Sequence, residues 1–275
     1  MAAPEVPNEK LEAIENALAK SRRYAAVSPD TVRRVARKAL LATRGDVGEA
    51  VKRTKRGLHE IHGAYLPPGA PNYDALARSI RSAADSGDEE KIKADLRSAM
   101  AVHASTRERI PYLGTFYQEV FARVPEPATI RDLACGFNPL ASPWMPVAKP
   151  VTYLASDIDE RMLDFVGQAL TALGVAHRVE ILDLVDAQVT GYADLTLLLK
   201  TIPCLERQKT GAGWELLDAI NSPTIIVTFP TRSLGQRSKG MFQTYSSAFE
   251  EHLGRTSWRA ERLEIPNELV YIVTK

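Results

Sequence analysis

Three acidic residues stand at the ends of three short apolar runs: Asp132 after Thr129–Ile130, Asp157 after Val151–Ser156 and Asp183 after Ile181–Leu182. A strand that ends in a carboxylate offers a hydrogen-bond acceptor at the place where open α/β sheets receive their ligands. Asp157 follows Gly136 by twenty-one residues, a separation that lets an acidic side chain accept from both hydroxyls of a ribose. Asp159, two residues on, suits the cap of a following helix. Asp183 is placed to accept from an adenine amino group while Leu184 packs on the ring. Taken singly, each is also an ordinary turn residue or helix cap; their recurrence in sequence favours a ligand. The first run continues Ala134-Cys135-Gly136-Phe137-Asn138-Pro139, where Gly136 permits close backbone approach. It lacks the further glycines with which a helix N-terminus cradles a pyrophosphate. Lys200, at the tip of the apolar run Leu195–Leu199, and Arg232, Arg237 and Lys239 in a glycine-bearing loop are candidates for phosphate contact on the same rim. The alternative for that loop is a solvated surface segment.

The elements that must carry these residues fall into two groups. Up to about residue 125 the spacing predicts helices: Asn8–Ala19, Pro29 to about Thr43, Asp46–Ile61, Tyr73–Asp85, Asp88–Met100 and Ser105–Arg123. Ser28-Pro29 is a helix start and Gly45 a stop. From Pro127 short apolar runs alternate with helical stretches. Strands are expected at Thr129–Leu133, Val151–Ser156, His177–Leu182, Asp194–Leu199 and Thr224–Phe229, with helices such as Arg161–Leu173 and Trp214–Asn221 between most of them. That alternation predicts a doubly wound parallel sheet. Arg262–Ile265 and Leu269–Val273 are joined by three residues only, which forces an antiparallel hairpin. The expected fold class is therefore α/β, a class I methyltransferase sheet with a terminal antiparallel hairpin, preceded by an all-helical domain; the domains are expected to span 1–125 and 126–275. Nicotinamide dehydrogenases lack such a hairpin. A phosphate-free nucleoside ligand, S-adenosyl-L-methionine, then suits the acidic strand tips and the single glycine better than a dinucleotide.

Bulk composition narrows the partner. The net charge is +1, yet Lys20 to Arg56 holds twelve Lys/Arg and three Asp/Glu, a local +9 that leaves −8 on the rest. A basic block on an otherwise acidic chain is the footprint of a polyanion binder, and Lys52, Arg53, Lys55 and Arg56 are its densest part. A solvated helix face is the plain alternative, but the cations recur over three successive segments. The two cysteines, Cys135 and Cys204, form no CxxC and exclude a cysteine zinc site or disulfide framework. No metal site is expected. With no membrane-length apolar run and no signal-peptide pattern, a cytoplasmic location is expected. No long apolar patch stands out, so a monomer is expected.

With these residues in hand, the chain resembles the aminoglycoside-resistance 16S rRNA (guanine-N7) methyltransferases, in the branch found in antibiotic producers. The resemblance is densest in Ser21-Arg22-Arg23-Tyr24, Val51 through Ile61, His103-Ala104-Ser105-Thr106-Arg107-Glu108-Arg109, Arg131 through Gly136, and Thr228-Phe229-Pro230 through Met241-Phe242. It implies an N-terminal helical RNA-binding domain, a C-terminal methyltransferase domain, and methyl transfer from S-adenosyl-L-methionine, leaving S-adenosyl-L-homocysteine, to N7 of a decoding-site guanine in the assembled small ribosomal subunit. It further implies a pocket lined from the N-terminal side by Tyr65, His103, Ala104, Ser105 and Arg109, with Arg109 pairing with the methionine carboxylate. Ala134, Asp157, Asp183, Leu184, Leu199 and Gln208 would complete it. Ser105-Thr106-Arg107-Glu108 also reads as a capping box.

Guanine N7 bears a lone pair and no proton, so no general base is required and no catalytic residue is assigned beyond positioning groups. The alternatives are a class I methyltransferase acting on another rRNA base or on a non-RNA substrate, and a non-enzymatic RNA-binding or ribosome-assembly protein with a degenerate pocket.

Overall fold

The computed structural model of the chain describes residues 6–231 and 239–275, with side chains from 244 onward in the second stretch. Three helices come first: α1 (Asn8–Ala19), α2 (Pro29–Ala42) and α3 (Val47–Ile61). Pro29 opens α2, where its missing N–H costs nothing. Ser28 makes no side-chain cap; its backbone N–H instead donates to Ile158 O at 2.7 Å. Gly45, at φ 85°, ends the helix and donates to Leu40 O. Asp46 caps α3 by accepting from Glu49 N at 3.0 Å. Leu11, Ile14, Leu18, Val32, Leu40 and Leu58 close a core of their own between these helices.

A short 3-10 turn, Gly63–Tyr65, leads to α4 (Tyr73–Ser86) and α5 (Glu89–Met100). The expected helix over 105–123 is broken into α6 (Ala104–Arg107), a 3-10 turn Ile110–Tyr112 and α7 (Leu113–Phe121). Pro111 sits in that turn and has no N–H to continue an α-helical ladder. The capping box is not formed either. α6 begins one residue early, and Ser105 Oγ lies 2.9 Å from His103 Nδ1. Apolar packing divides the chain earlier than residue 125: Ile80, Leu96, Met100, Phe116 and Tyr117 share one core with Ile130, Tyr153 and Phe165 of the sheet layer. Among the described residues, α1–α3 close a core apart from that one.

The sheet follows, with β1 (Thr129–Leu133), a 3-10 segment Asn138–Trp144, β2 (Thr152–Asp157), α8 (Glu160–Ala172), β3 (Ala176–Ile181), β4 (Leu195–Leu199), α9 (Ile202–Gln208), α10 (Ala212–Ala219), β5 (Thr224–Pro230), α11 (Lys239–Leu253), β6 (Arg259–Ile265) and β7 (Glu268–Thr274). The strand order is β3-β2-β1-β4-β5-β7-β6. β1 to β5 pair in parallel, and β7 lies antiparallel between β5 and β6. The hairpin turn carries Asn267 at φ 64°. β4 is central and buried, as its four leucines require, and the hydroxyl of Thr196 among them is paired with Ser222 at 2.7 Å. No helix joins β3 to β4, in contrast to the other parallel crossovers. Strand order reverses between β1 and β4, so the crevice beyond their carboxyl ends is where a ligand is received.

Candidate active site

A cavity of about 750 Å³ opens at that crevice. The tips of β1, β2 and β4 supply Ala134, Gly136, Asp157, Leu199 and Lys200 to its wall. Ala134 (φ 53°) and Lys200 (φ 60°) both hold left-handed backbone without being glycine. Each such residue costs about 1–2 kcal/mol, and strain of this kind gathers at ligand sites. Gly136 (φ 52°) has a further constraint, since a Cβ there would stand 2.9 Å from His103 Cε1. The glycine of the β1 loop is thus required by the imidazole packed over it.

Asp157 lies on the wall with both oxygens aligned by backbone: Oδ2 accepts from Gly136 N at 2.9 Å and Oδ1 from Ile158 N at 2.7 Å. Burial raises its pKa, and these two hydrogen bonds work against that shift. A carboxylate has about four acceptor positions, so each oxygen can accept once more. Asp159 caps α8 as its spacing suggests, accepting from Met162 N at 2.9 Å. Asp132 behaves differently from the other two acidic strand ends. It is buried off the cavity, accepts from Tyr153 Oη at 2.7 Å and Asn138 Nδ2 at 2.8 Å, and burial pushes it up to about 7. Its side chain serves the interior and is not a strand-tip acceptor.

From the helical side, Tyr65, His103 and Ser105 line the cavity. The Tyr65 and His103 rings stack at 5.6 Å, and the Tyr65 hydroxyl lies 2.9 Å from Cys204 Sγ. Burial, followed by the nearby His62, Lys200 and Arg107, lowers His103 to about 3, which keeps the ring neutral. His62 also faces the cavity; its buried Nε2 is 3.0 Å from Asp159 Oδ2 but out of line for a hydrogen bond.

Ala104 and Arg109 do not line this cavity. Arg109 is buried behind it, forked onto Glu268 (Nε to Oε1 2.9 Å, Nη2 to Oε2 2.8 Å), with Nη1 donating to Asn138 Oδ1 at 2.8 Å. The guanidinium expected to meet a ligand carboxylate is committed to one from β7. Burial alone would raise Glu268, but Arg109 and then Lys200 hold it below the usual carboxylate range.

Asp183, Leu184 and Gln208 do reach the wall. Asp183 accepts from Arg34, a residue of α2 (Nε to Oδ2 2.8 Å, Nη2 to Oδ1 3.1 Å), and Arg34 Nη2 also donates to Gln208 Oε1 at 2.8 Å. In the sequence Arg34 is one cation on the polar face of a basic helix. Its role follows from a partner 149 residues away, which no local pattern announces. Ile158, Met162, Leu182 and Leu205 give the wall an apolar side that local motifs also leave unmarked.

The basic residues separate by position. Lys52, Arg53, Lys55 and Arg56 are exposed along α3; Lys52 and Arg53 approach Glu49 at 3.5 and 3.9 Å. Lys200, expected to meet phosphate, is instead largely buried on the cavity wall, with Nζ 2.7 Å from Glu108 and 3.4 Å from Glu268. Arg232 and Arg237 lie outside the described residues, as does the Lys239 side chain at the start of α11. Among the described residues no helix is long and apolar enough to cross a membrane.

Known proteins share this architecture over nearly its full length. A family described as ribosomal RNA methyltransferase (FmrO) matches residues 20–272. The chain is 60% identical over 269 residues to a Micromonospora echinospora protein named 16S rRNA (guanine(1405)-N(7))-methyltransferase, covering 98% of each. A Frankia casuarinae protein of the same name is 56% identical, over 97% of this chain and 94% of its own. The crystal structure of the 16S rRNA methyltransferase RmtF in complex with S-adenosyl-L-homocysteine superposes with a TM-score of 0.83 at 34% identity, covering 98% of this chain and 99% of that one.

Proposed function

We infer, for a chain that belongs to the FmrO family of ribosomal RNA methyltransferases, that it transfers a methyl group from S-adenosyl-L-methionine to N7 of a guanine in 16S rRNA. The observation that carries this reading is the cavity at the β1–β4 switch point, with Asp157 on its wall, in a chain so close in sequence to relatives of that activity.

The residues present fit the donor. Asp157, with an acceptor position left on each oxygen, would take the ribose hydroxyls. Leu184, Leu199, Ile158 and Met162 would flank the adenine, with Asp183 accepting from its amino group beside Arg34. Gly136 lets the His103 ring pack directly over the β1 loop, so the imidazole forms part of the wall beside the ligand. Tyr65, Ser105, Ala134 and Gln208 would close the rest, while Ala104 and Arg109 support the wall from behind. S-adenosyl-L-methionine supplies an already activated methyl on a sulfonium. The protein is left to hold the purine so that N7 meets that methyl in line, a positioning task of the kind that removes most of an entropic barrier. Neutral His103 and the stacked Tyr65 add no positive charge on their side of the pocket, where Lys200 is paired with Glu108 and Glu268.

The finer assignment has the target guanine at the decoding site of the assembled small subunit, read by a monomer. The exposed cations of α3 would grip rRNA phosphates, joined by Arg232, Arg237 and Lys239, and recognition would follow folded shape more than sequence. Methylation there would give aminoglycoside resistance. Expression of the gene in a susceptible bacterium should give resistance to gentamicin and kanamycin with full sensitivity to apramycin. Apramycin resistance, or none to any of the three, would contradict the assignment.

A further inference from the structure

A second cavity, about 1140 Å³, runs as a groove between α2, α3 and α9, and it adjoins the first. Arg34, Lys38, Arg53, Arg56, Arg207 and Lys209 line it against two acids, Glu60 and Asp186. Such a trough, walled by cations from both the N-terminal unit and the sheet layer, complements a sugar-phosphate backbone. Arg34 belongs to the walls of both cavities. One edge of its guanidinium is spent on Asp183 and Gln208, and among the described residues its Nη1 donates to nothing. Lys38 Nζ donates to Gln208 O at 3.1 Å, so α2 holds the same lip of the donor pocket twice. The N-terminal unit meets the pocket again where Ser28 N donates to Ile158 O, next to Asp157.

We propose that the groove takes a stretch of rRNA backbone and that Arg34 couples its occupancy to that of the donor pocket. The planar fork serves both ligands at once: Nε and Nη2 fix the Asp183 carboxylate for the adenine, and Nη1 is left for a phosphate. Each ligand favours the same guanidinium position, so each lowers the cost of ordering Arg34 for the other. Coupling of this kind is reciprocal: the factor by which donor tightens RNA binding equals the factor by which RNA tightens donor binding. The inference rests on the rRNA methyltransferase reading and deepens it.

The test uses the full chain with S-adenosyl-L-homocysteine and purified bacterial small ribosomal subunits as probes. Subunit affinity is measured with and without saturating S-adenosyl-L-homocysteine, and S-adenosyl-L-homocysteine affinity with and without subunits. For the wild type we expect each ligand to tighten the other roughly tenfold, by the same factor. In Arg34→Ala the factor should fall to one. Arg34→Lys keeps the charge but cannot fork, so both affinities should fall while the factor again drops to one; if the alanine variant fails to fold, this variant decides. A merely structural role for Arg34 would weaken both affinities and leave the coupling factor intact, which would overturn the proposal. Independent binding of both ligands by the wild type would overturn it too while leaving the enzymatic reading standing, whereas binding of neither would sink both.

Discussion

Gly136 is held by two demands at once: a left-handed φ of 52° and an imidazole edge where a Cβ would go. Gly136→Ala must push His103 aside and strain the β1 loop that aligns Asp157. Such strain costs about 1–3 kcal/mol, and S-adenosyl-L-homocysteine affinity measured by calorimetry should fall by at least tenfold; unchanged affinity would refute the packing argument. Asp132 gives a pH signature. Burial raises it from 3.8 to about 7 in the folded protein, so its stabilising effect is full below the ordinary pKa and is lost as pH rises through the folded value. Asp132→Asn keeps an oxygen to accept from Tyr153 and Asn138 but cannot ionise. Between about pH 4 and 7 the wild type should therefore lose stability relative to Asp132→Asn by up to ~1.4 kcal/mol per pH unit, read from urea midpoints; parallel curves would count against the burial of this carboxylate. Asp159 is legible in the sequence because helix caps obey local spacing, and Asp157 because a strand-tip carboxylate falls at a recognisable interval after Gly136. Arg34 and Glu268 are not, since each acquires its meaning from a partner brought in by the fold: Asp183 for one, Arg109 for the other.

Among the elements, α3 is the one whose sequence and surface agree most directly, with its apolar side on Leu58 and Ala50 and four cations facing outward. Replacing Lys52, Arg53, Lys55 and Arg56 together by Ala should leave the melting temperature within a few degrees and weaken rRNA binding. Salt dependence should drop by about one unit of slope for each phosphate no longer gripped; an unchanged slope would remove α3 from the interface. The β6–β7 hairpin is equally legible, because three residues cannot make a crossover. Its turn holds Asn267 in left-handed backbone, so Asn267→Ala should cost about 1 kcal/mol of stability and Asn267→Gly very little. The stretch 105–123 reads as one helix because its apolar periodicity continues across Pro111, and periodicity carries no record of a missing backbone donor. The β3–β4 connection likewise lacks the helix that strict strand-helix alternation calls for.

On the scale of the whole molecule, the switch-point cavity draws its wall from the N-terminal helices and from the sheet layer. α2 reaches it through Arg34, and behind it Arg109 is joined to Glu268 of the last strand. Because that ion pair is fully buried, Arg109→Ala would leave Glu268 with only Lys200, 3.4 Å away, as a neighbouring cation, at a cost of about 3–5 kcal/mol, visible as a lower urea midpoint; a neutral effect would mean the pair does not hold β7 to the helical layer. A boundary at 125 follows the change from helices to strands, but the separate core of α1–α3 shows that cohesion follows packing, and α4–α7 pack with the sheet. That arrangement leaves a basic unit on the lip of the switch-point cavity. The central claim is tested most directly by incubating the protein with methyl-tritiated donor and purified small ribosomal subunits, then digesting the 16S rRNA to nucleosides. Tritium should appear in 7-methylguanosine and disappear when Asp157→Ala replaces the wild type; label in any other nucleoside, or none in the rRNA, would contradict the account.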